Sequence, residues 1–177
     1  MTGPCPLDPA QMEAALQRLA GDVAQRLGQD SLVLLGIRSR GLPLAERLGA
    51  HLGKALGREV PVGALDITLY RDDLTELVGV PIVRPTEIPF TLKDRTILLV
   101  DDVLFTGRTI RAALDALLDH GRPKTVRLAV LVDRGGRELP IQADFAAVTL
   151  PVGEGQRVSV KVKELDGEDV VFLETRG

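Results

Sequence analysis

The segment Asp101-Asp102-Val103-Leu104-Phe105-Thr106-Gly107-Arg108-Thr109 places two adjacent acids shortly before a threonine-glycine turn. Carboxylates accept hydrogen bonds from sugar hydroxyls and favour a cation developing beside them. A turn that opens a helix presents free backbone N–H groups and the positive end of the helix dipole, which suits a phosphate. Thr106 and Thr109 add hydroxyl donors, and Gly107 permits close backbone approach or a positive φ. Together these residues point to a phosphorylated ribose. No G-x-x-x-x-G-K-[ST] and no G-x-G-x-x-G after a predicted strand offers a competing nucleotide loop. Paired acids after a strand also occur as a solvated strand end or a helix cap, but a cap accounts for neither the second acid nor the Thr-Gly turn.

Such groups need a rigid mount. Ile97 to Val100 is a continuous apolar run, which predicts a strand covered on both faces and ending at Asp101-Asp102. The acids then fall at the carboxyl edge of a sheet, where open α/β sheets bind ligands. The same grammar recurs along the chain. Leu7-Asp8-Pro9 opens a helix in N-cap and N1 style, with Met12, Leu16, Leu19, Val23 and Leu27 at helical spacing. Leu32 to Ile37 reads as a strand, Leu44 to Leu56 as a helix, and Val60 to Tyr70 as strand or hairpin material. Arg71 to Pro89 is a long polar connection, the kind that is functional or mobile. Gly121-Arg122-Pro123 stops the helix after the acids, Val126 to Val132 is a further buried strand, and Phe145 to Leu150, Val158 to Val162 and Val170 to Leu173 are short strands. This alternation predicts an α/β fold with a mostly parallel central sheet flanked by helices.

Three strands therefore end in polar loops: Arg38-Ser39-Arg40-Gly41, Asp101-Asp102, and Asp133-Arg134-Gly135-Gly136. Loops after parallel strands gather at one edge. Arg38 and Arg40 in a tight turn suit a pyrophosphate, because a guanidinium binds planar oxyanion pairs in a bidentate manner. Read alone, Asp133-Arg134 is equally a surface turn holding an internal ion pair.

The chain has 177 residues, 45% hydrophobic and 27% charged, which predicts one globular domain and excludes a disordered tail protein or a membrane span. Met1 to Ala10 lacks the basic flank and apolar core of a signal peptide, so the cytoplasm is the expected location. Cys5 is the sole cysteine and is read as a bystander. His51 and His120 lie far apart in sequence, so no metal cage is visible and any metal is expected to arrive with a substrate. The net charge of -3 gives no global support for nucleic-acid binding. Locally, Arg108, Arg111, Arg122, Lys124 and Arg127 outnumber Asp115 and Asp119, whereas Glu164 to Glu174 is mostly acidic. Those bases also fit a solvated helix face together with phosphate ligands.

Two acids followed by this threonine-glycine loop resemble the PRPP-binding signature of the type I phosphoribosyltransferases. Gly36-Ile37-Arg38-Ser39-Arg40-Gly41, Asp66-Ile67-Thr68-Leu69-Tyr70-Arg71-Asp72-Asp73 and the block Leu131 to Ile141, with Asp133-Arg134-Gly135-Gly136-Arg137-Glu138 at its heart, narrow this to the PyrR family of bacterial pyrimidine-operon regulators. The resemblance covers nearly the whole chain. It implies a type I phosphoribosyltransferase fold with a small hood built roughly from 134–177 and the N-terminal part. It implies conversion of uracil and PRPP to UMP and pyrophosphate, UMP-dependent binding of an mRNA leader, and a homodimer or higher homo-oligomer without membrane association.

Carried onto this chain, the resemblance gives Asp101 and Asp102 the ribose hydroxyls and the oxocarbenium-like cation, and the Thr106 to Thr109 turn the 5-phosphate, with Val103, Leu104 and Phe105 in the same PRPP-binding stretch. Arg38, Ser39, Arg40 and Gly41 take the pyrophosphate, with a non-proline cis peptide expected within Arg38 to Arg40. Arg71 and Arg84 belong to a loop that closes over PRPP. Asp133, Arg134 and the backbone near Val158 line a uracil pocket. Mg²⁺ is carried by the substrate, with Asp101 and Asp102 as the nearest protein oxygens. For RNA, Arg18, Arg122, Lys124, Arg127 and Arg137 are candidate phosphate contacts. Three positions depart from the family: Gly136 stands where many relatives carry histidine, and Gln142 and Val148 where bases are common. Aromatic residues are 3% of the chain, which disfavours recognition by base stacking. A purely metabolic phosphoribosyltransferase, including a purine-specific one, is the competing reading.

Overall fold

The computed structural model describes residues 6–74 and 79–176; Cys5 lies outside them. Helix α1 spans Pro9–Leu27, and Asp8 caps it. The Asp8 carboxylate accepts the Gln11 N–H at 2.8 Å while the Gln11 amide oxygen accepts the Asp8 N–H at 2.9 Å, a reciprocal box that satisfies two donors. Strand β1 (Leu32–Ile37) is buried along its whole length. Helix α2 follows directly at Gly41–Leu56, three residues earlier than its apolar period suggests, because Pro43 sits in the first turn, where no backbone N–H is needed.

β2 (Val62–Leu65), β3 (Thr96–Leu104), β4 (Thr125–Asp133) and β5 (Phe145–Thr149) complete a five-stranded parallel sheet in the order β2-β1-β3-β4-β5. The order reverses between β1 and β3. At such a switch point the loops leaving the two strands run in opposite directions and open a crevice at the carboxyl edge. Alternate residues on each strand feed two cores. On one face Leu32, Leu34, Leu98, Val100 and Leu131 meet Met12, Leu16 and Val23 of α1 and Leu44, Leu48 and Leu52 of α2. On the other, Val33, Leu35, Ile97, Leu99 and Val130 meet Ile110, Ala113 and Leu117 of α3 (Arg108–Leu118).

The chain after β5 forms a second, antiparallel sheet of β6 (Gln156–Lys161) and β7 (Val170–Thr175), joined by the short helix α4 (Lys163–Asp166). Leu7 bridges to Val171 and ties the start of α1 to it. β5 belongs to the main sheet, so the hood is smaller than the span 134–177.

Of the strand or hairpin expected at Val60 to Tyr70, the structure has the strand: after the parallel β2, the Asp66 carboxylate accepts the N–H and the hydroxyl of Thr68, at 3.2 and 2.7 Å, and turns the chain into a 3₁₀ turn at Thr68–Tyr70. One strand boundary is corrected. β3 does not stop at Asp101, because Val103 and Leu104 continue the ladder against Val132 and Asp133.

Candidate active site

Asp101 and Asp102 are adjacent near the end of β3, and both line one cavity at its carboxyl edge. Asp101 is 7% exposed and Asp102 half-buried. The Asp101 Oδ1 accepts the Asp102 N–H at 2.9 Å, and the Asp102 Oδ1 accepts the Val103 N–H at 2.7 Å. Burial, and then the neighbouring Asp102 charge, push the Asp101 carboxyl well above the usual carboxylate range. Between the pKa of an unfolded aspartate and this raised value, the folded chain holds a proton that the unfolded chain has lost. Stability therefore falls as pH rises through that window, by at most about 1.4 kcal/mol per pH unit. Asp101→Asn, which keeps the acceptor oxygen, is expected to flatten that slope in thermal melts across pH; an unchanged slope would refute the proton assignment.

Across the switch point, the loop after β1 faces these acids. Its Arg38–Ser39 peptide is cis, inside the segment where the resemblance places one. Gly41 packs so closely that an added Cβ would lie 2.4 Å from the Val100 carbonyl oxygen. The segment after the 3₁₀ turn folds back over the loop. The Arg38 Nε donates to the Pro85 carbonyl at 2.8 Å, the Arg84 guanidinium to the Ser39 hydroxyl at 3.2 Å, and the Arg84 N–H to Asp66 at 2.9 Å. Arg38, Ser39, Arg40, Asp66, Thr68, Arg71, Arg84, Asp101, Asp102, Val103 and Thr109 enclose a cavity of about 400 Å³. Sequence reasoning missed Asp66 and Thr68 as wall residues; the Asp-x-Thr spacing of a side-chain turn was the available signal.

The phosphate-sized turn adjoins it. Gly107 has φ +95°, and a Cβ there would crowd Leu139 and Ile141. The Glu138 and Leu139 N–H groups donate to the Thr106 carbonyl, which holds the turn against the loop after β4. Arg108 pairs with Asp72 at 2.7 Å and Glu138 at 3.2 Å. A second cavity of about 540 Å³ lies between Thr106, Arg108 and Thr109 and the chain at Arg71, Asp72 and Asp73. Arg71 lines both cavities and pairs with Asp73 at 2.7 Å. Leu104 is buried and Phe105 exposed.

Arg134 stacks 3.7 Å over the Phe105 ring and donates to the Gln156 carbonyl at 3.2 Å. Its Nε is buried without a partner, and burial together with Arg176 lowers its pKa. A cavity of about 350 Å³ opens there between Phe105, Arg134, Gly136, residues 152–156 and Arg176. Val158 is not at this cavity: its side chain belongs to the core, and the Gln156 end of β6 is what reaches the opening. Asp133 also turns elsewhere. Burial raises its pKa, but the Arg137 guanidinium at 2.7 Å and the Gly135 N–H outweigh that and hold it below the usual range.

The five proposed RNA contacts are spread over α1, the connection from α3 to β4, β4 itself and the loop after it. Arg137 is 19% exposed and donates to the Ile141 and Phe105 carbonyls as well as to Asp133, so it staples the loop after β4 and is removed as a free phosphate contact. Arg122 and Lys124 are exposed between α3 and β4, at the amino edge opposite the cavities. Arg127 is exposed 3.9 Å from Asp144, and Arg18 is exposed on α1. Among the described residues no group of three or more His, Cys, Asp or Glu is arranged to hold a metal, and no helix is long and apolar enough to cross a membrane.

A family model described as "Phosphoribosyl transferase domain" matches residues 7–164. The "Bifunctional protein PyrR" of Pelotomaculum thermopropionicum is 54% identical over 171 residues, 96% of this chain and 94% of the relative. That of Thermus aquaticus is 56% identical over 164 residues, 92% of this chain and 91% of the relative. Among solved structures, the hypoxanthine phosphoribosyltransferase of Trypanosoma cruzi superposes with TM-score 0.72 at 14% identity, covering 99% of this chain and 98% of that one. The enzyme of Leishmania tarentolae in complex with GMP gives 0.71 at 18%, covering 98% and 96%. At such identity the structures share the fold, while the relatives above half identity fix the family. The chain carries a phosphoribosyltransferase domain and belongs to the PyrR family.

Proposed function

We propose that this chain converts uracil and PRPP to UMP and pyrophosphate in the cytoplasm and binds an mRNA leader when UMP is present, acting as a homodimer or larger homo-oligomer. The observation that carries the catalytic half is the convergence of Arg38 to Arg40, Asp101-Asp102, Thr106, Arg108 and Thr109 on adjoining cavities. The turn anchors the 5-phosphate, and the acids hold the ribose hydroxyls. As the bond from C1 to pyrophosphate stretches, positive charge grows on the ribose and negative charge on the leaving group. Asp102 favours the first, and Arg38, Arg40 and Arg84 the second. Arg71 and the folded-back segment exclude water. The acids and the polar cavity suit a hard cation carried on the diphosphate; Mg²⁺ bound there would neutralise leaving-group charge, with Asp101 and Asp102 as the carboxylates in reach. Phe105, Arg134 and Gln156 frame the opening for the base, with Asp133 acting through the loop that carries Arg134.

Incubation of PRPP with uracil, hypoxanthine, guanine or adenine tests the substrate: UMP formation with uracil alone is expected, and turnover confined to purines would overturn it. Arg18, Arg122, Lys124 and Arg127 remain the phosphate contacts to test. A gel-shift titration with the leader at several salt concentrations is expected to tighten on adding UMP. Affinity should weaken with salt by a log-log slope of about 0.7 for each phosphate the protein neutralises. Binding indifferent to UMP would contradict the regulatory half.

A further inference from the structure

Arg40, the N-cap residue of α2, and Arg47, within its second turn, lie seven residues apart. Both meet acids of the connection between β6 and β7. The Arg40 Nε and Nη2 donate to the two carboxylate oxygens of Asp166 at 3.2 and 2.9 Å. The Arg47 guanidinium donates to both Glu164 and Asp169, with four contacts of 2.6–3.0 Å. The acids are themselves fixed: Asp166 accepts the Val162 N–H at 2.8 Å, and Asp169 the Lys163 N–H at 2.7 Å. Asp166 is 17% exposed, whereas its Arg40 partner is 40% exposed and opens onto the cavity beside Asp102. A guanidinium has two hydrogen-bonding edges. Asp166 takes the Nε/Nη2 edge, which leaves Nη1 and the second Nη2 hydrogen as a fork for an oxyanion pair.

We propose that Asp166 is a positioning residue: held by the hood, it clamps one edge of Arg40 so that the other edge meets the pyrophosphate end of PRPP. The assignment rests on the reading of Arg38 to Gly41 as the pyrophosphate loop. Arg47, with Glu164 and Asp169, anchors α4 and so fixes where Asp166 stands. The acidic stretch near the end of the chain is thus the counterpart of two arginines that lie more than a hundred positions earlier. A free Arg40 would still carry its charge, but it would have to be ordered each time a ligand binds.

The test uses full-length protein and titrates pyrophosphate with Mg²⁺ by calorimetry, alongside KM for PRPP and for uracil. Asp166→Asn, which keeps the shape but loses the charged clamp, is expected to weaken pyrophosphate binding and raise the KM for PRPP about tenfold, with the KM for uracil unchanged and partial recovery in Asp166→Glu. Arg40→Ala serves as the reference, and in the double variant the two losses should not add. If Arg40→Ala weakens pyrophosphate and Asp166→Asn does not, the positioning role alone is overturned. If Arg40→Ala binds pyrophosphate as wild type does, the loop reading falls and the clamp with it. A uniform loss in Asp166→Asn across PRPP, uracil and thermal stability would assign Asp166 to the fold instead.

Discussion

Asp102→Asn is expected to lower kcat for UMP formation by about 100-fold or more while the protein stays folded. The Asp102 Oδ1 accepts the Val103 N–H at 2.7 Å, and an asparagine oxygen can accept the same donor, so the carboxamide keeps its place on the cavity wall. What is lost is the negative charge. That charge matters most when the ribose becomes cationic, so the loss should appear in kcat more than in the KM for PRPP. Steady-state kinetics together with a thermal melt separate the two effects, and turnover near the wild-type value would remove Asp102 from the site. The neighbouring acid behaves differently. Asp101 is buried with its pKa raised, so its substitution is read in the pH dependence of stability.

That contrast marks how far the sequence could be read. Nothing in the letters Asp-Asp says which acid is desolvated; burial depends on segments arriving from elsewhere in the chain, among them the start of α2, where Gly41 stands against the Asp101 backbone. Local patterns were legible where local physics decides them: the Asp8 cap, the buried runs at Leu32–Ile37 and Ile97 to Val100, and the positive φ at Gly107. Partners distant in sequence were not. Arg137 reads as a candidate RNA phosphate contact, but its guanidinium donates to the Ile141 and Phe105 carbonyls, the Asp133 carboxylate and the Gln142 amide oxygen. Arg108, counted among the phosphate ligands, is drawn off by Asp72 and Glu138. Arg40 could be placed at a strand end from its spacing, but its carboxylate clamp lies 126 residues away on an element only four residues long. Ion pairs of that range have no periodicity to betray them. The one available hint was compositional, the mostly acidic run from Glu164 to Glu174.

A second large effect is expected from Gly41→Ala, a change of one methyl group. Gly41 is not in the left-handed region, so no φ strain is involved; the obstacle is the Val100 carbonyl oxygen, 2.4 Å from where the Cβ would stand, with the Asp101 Cα at 3.4 Å. Val100 lies within β3, paired to β1 on one side and β4 on the other, and that carbonyl has nowhere to go. The start of α2 must therefore shift, and it carries Arg40 and the cis-linked Ser39 away from Asp102. Overpacking of this kind costs about 1–3 kcal/mol, which for a chain of this size lowers the melting temperature by roughly 2–4 °C per kcal/mol. Pyrophosphate binding should weaken more than stability alone explains, because the displaced atoms are those of the loop itself. Gly21→Ala supplies the opposite sign: Gly21 is exposed within α1 with no atom within 4 Å of its Cβ position, so alanine should stabilise by about 0.5–1 kcal/mol and leave PRPP binding alone. Melting both variants beside the wild type decides the matter. If Gly41→Ala melts like the wild type and keeps its pyrophosphate affinity, the loop after β1 does not rest on β3 as described, and the close approach at the switch point is not what holds the site together.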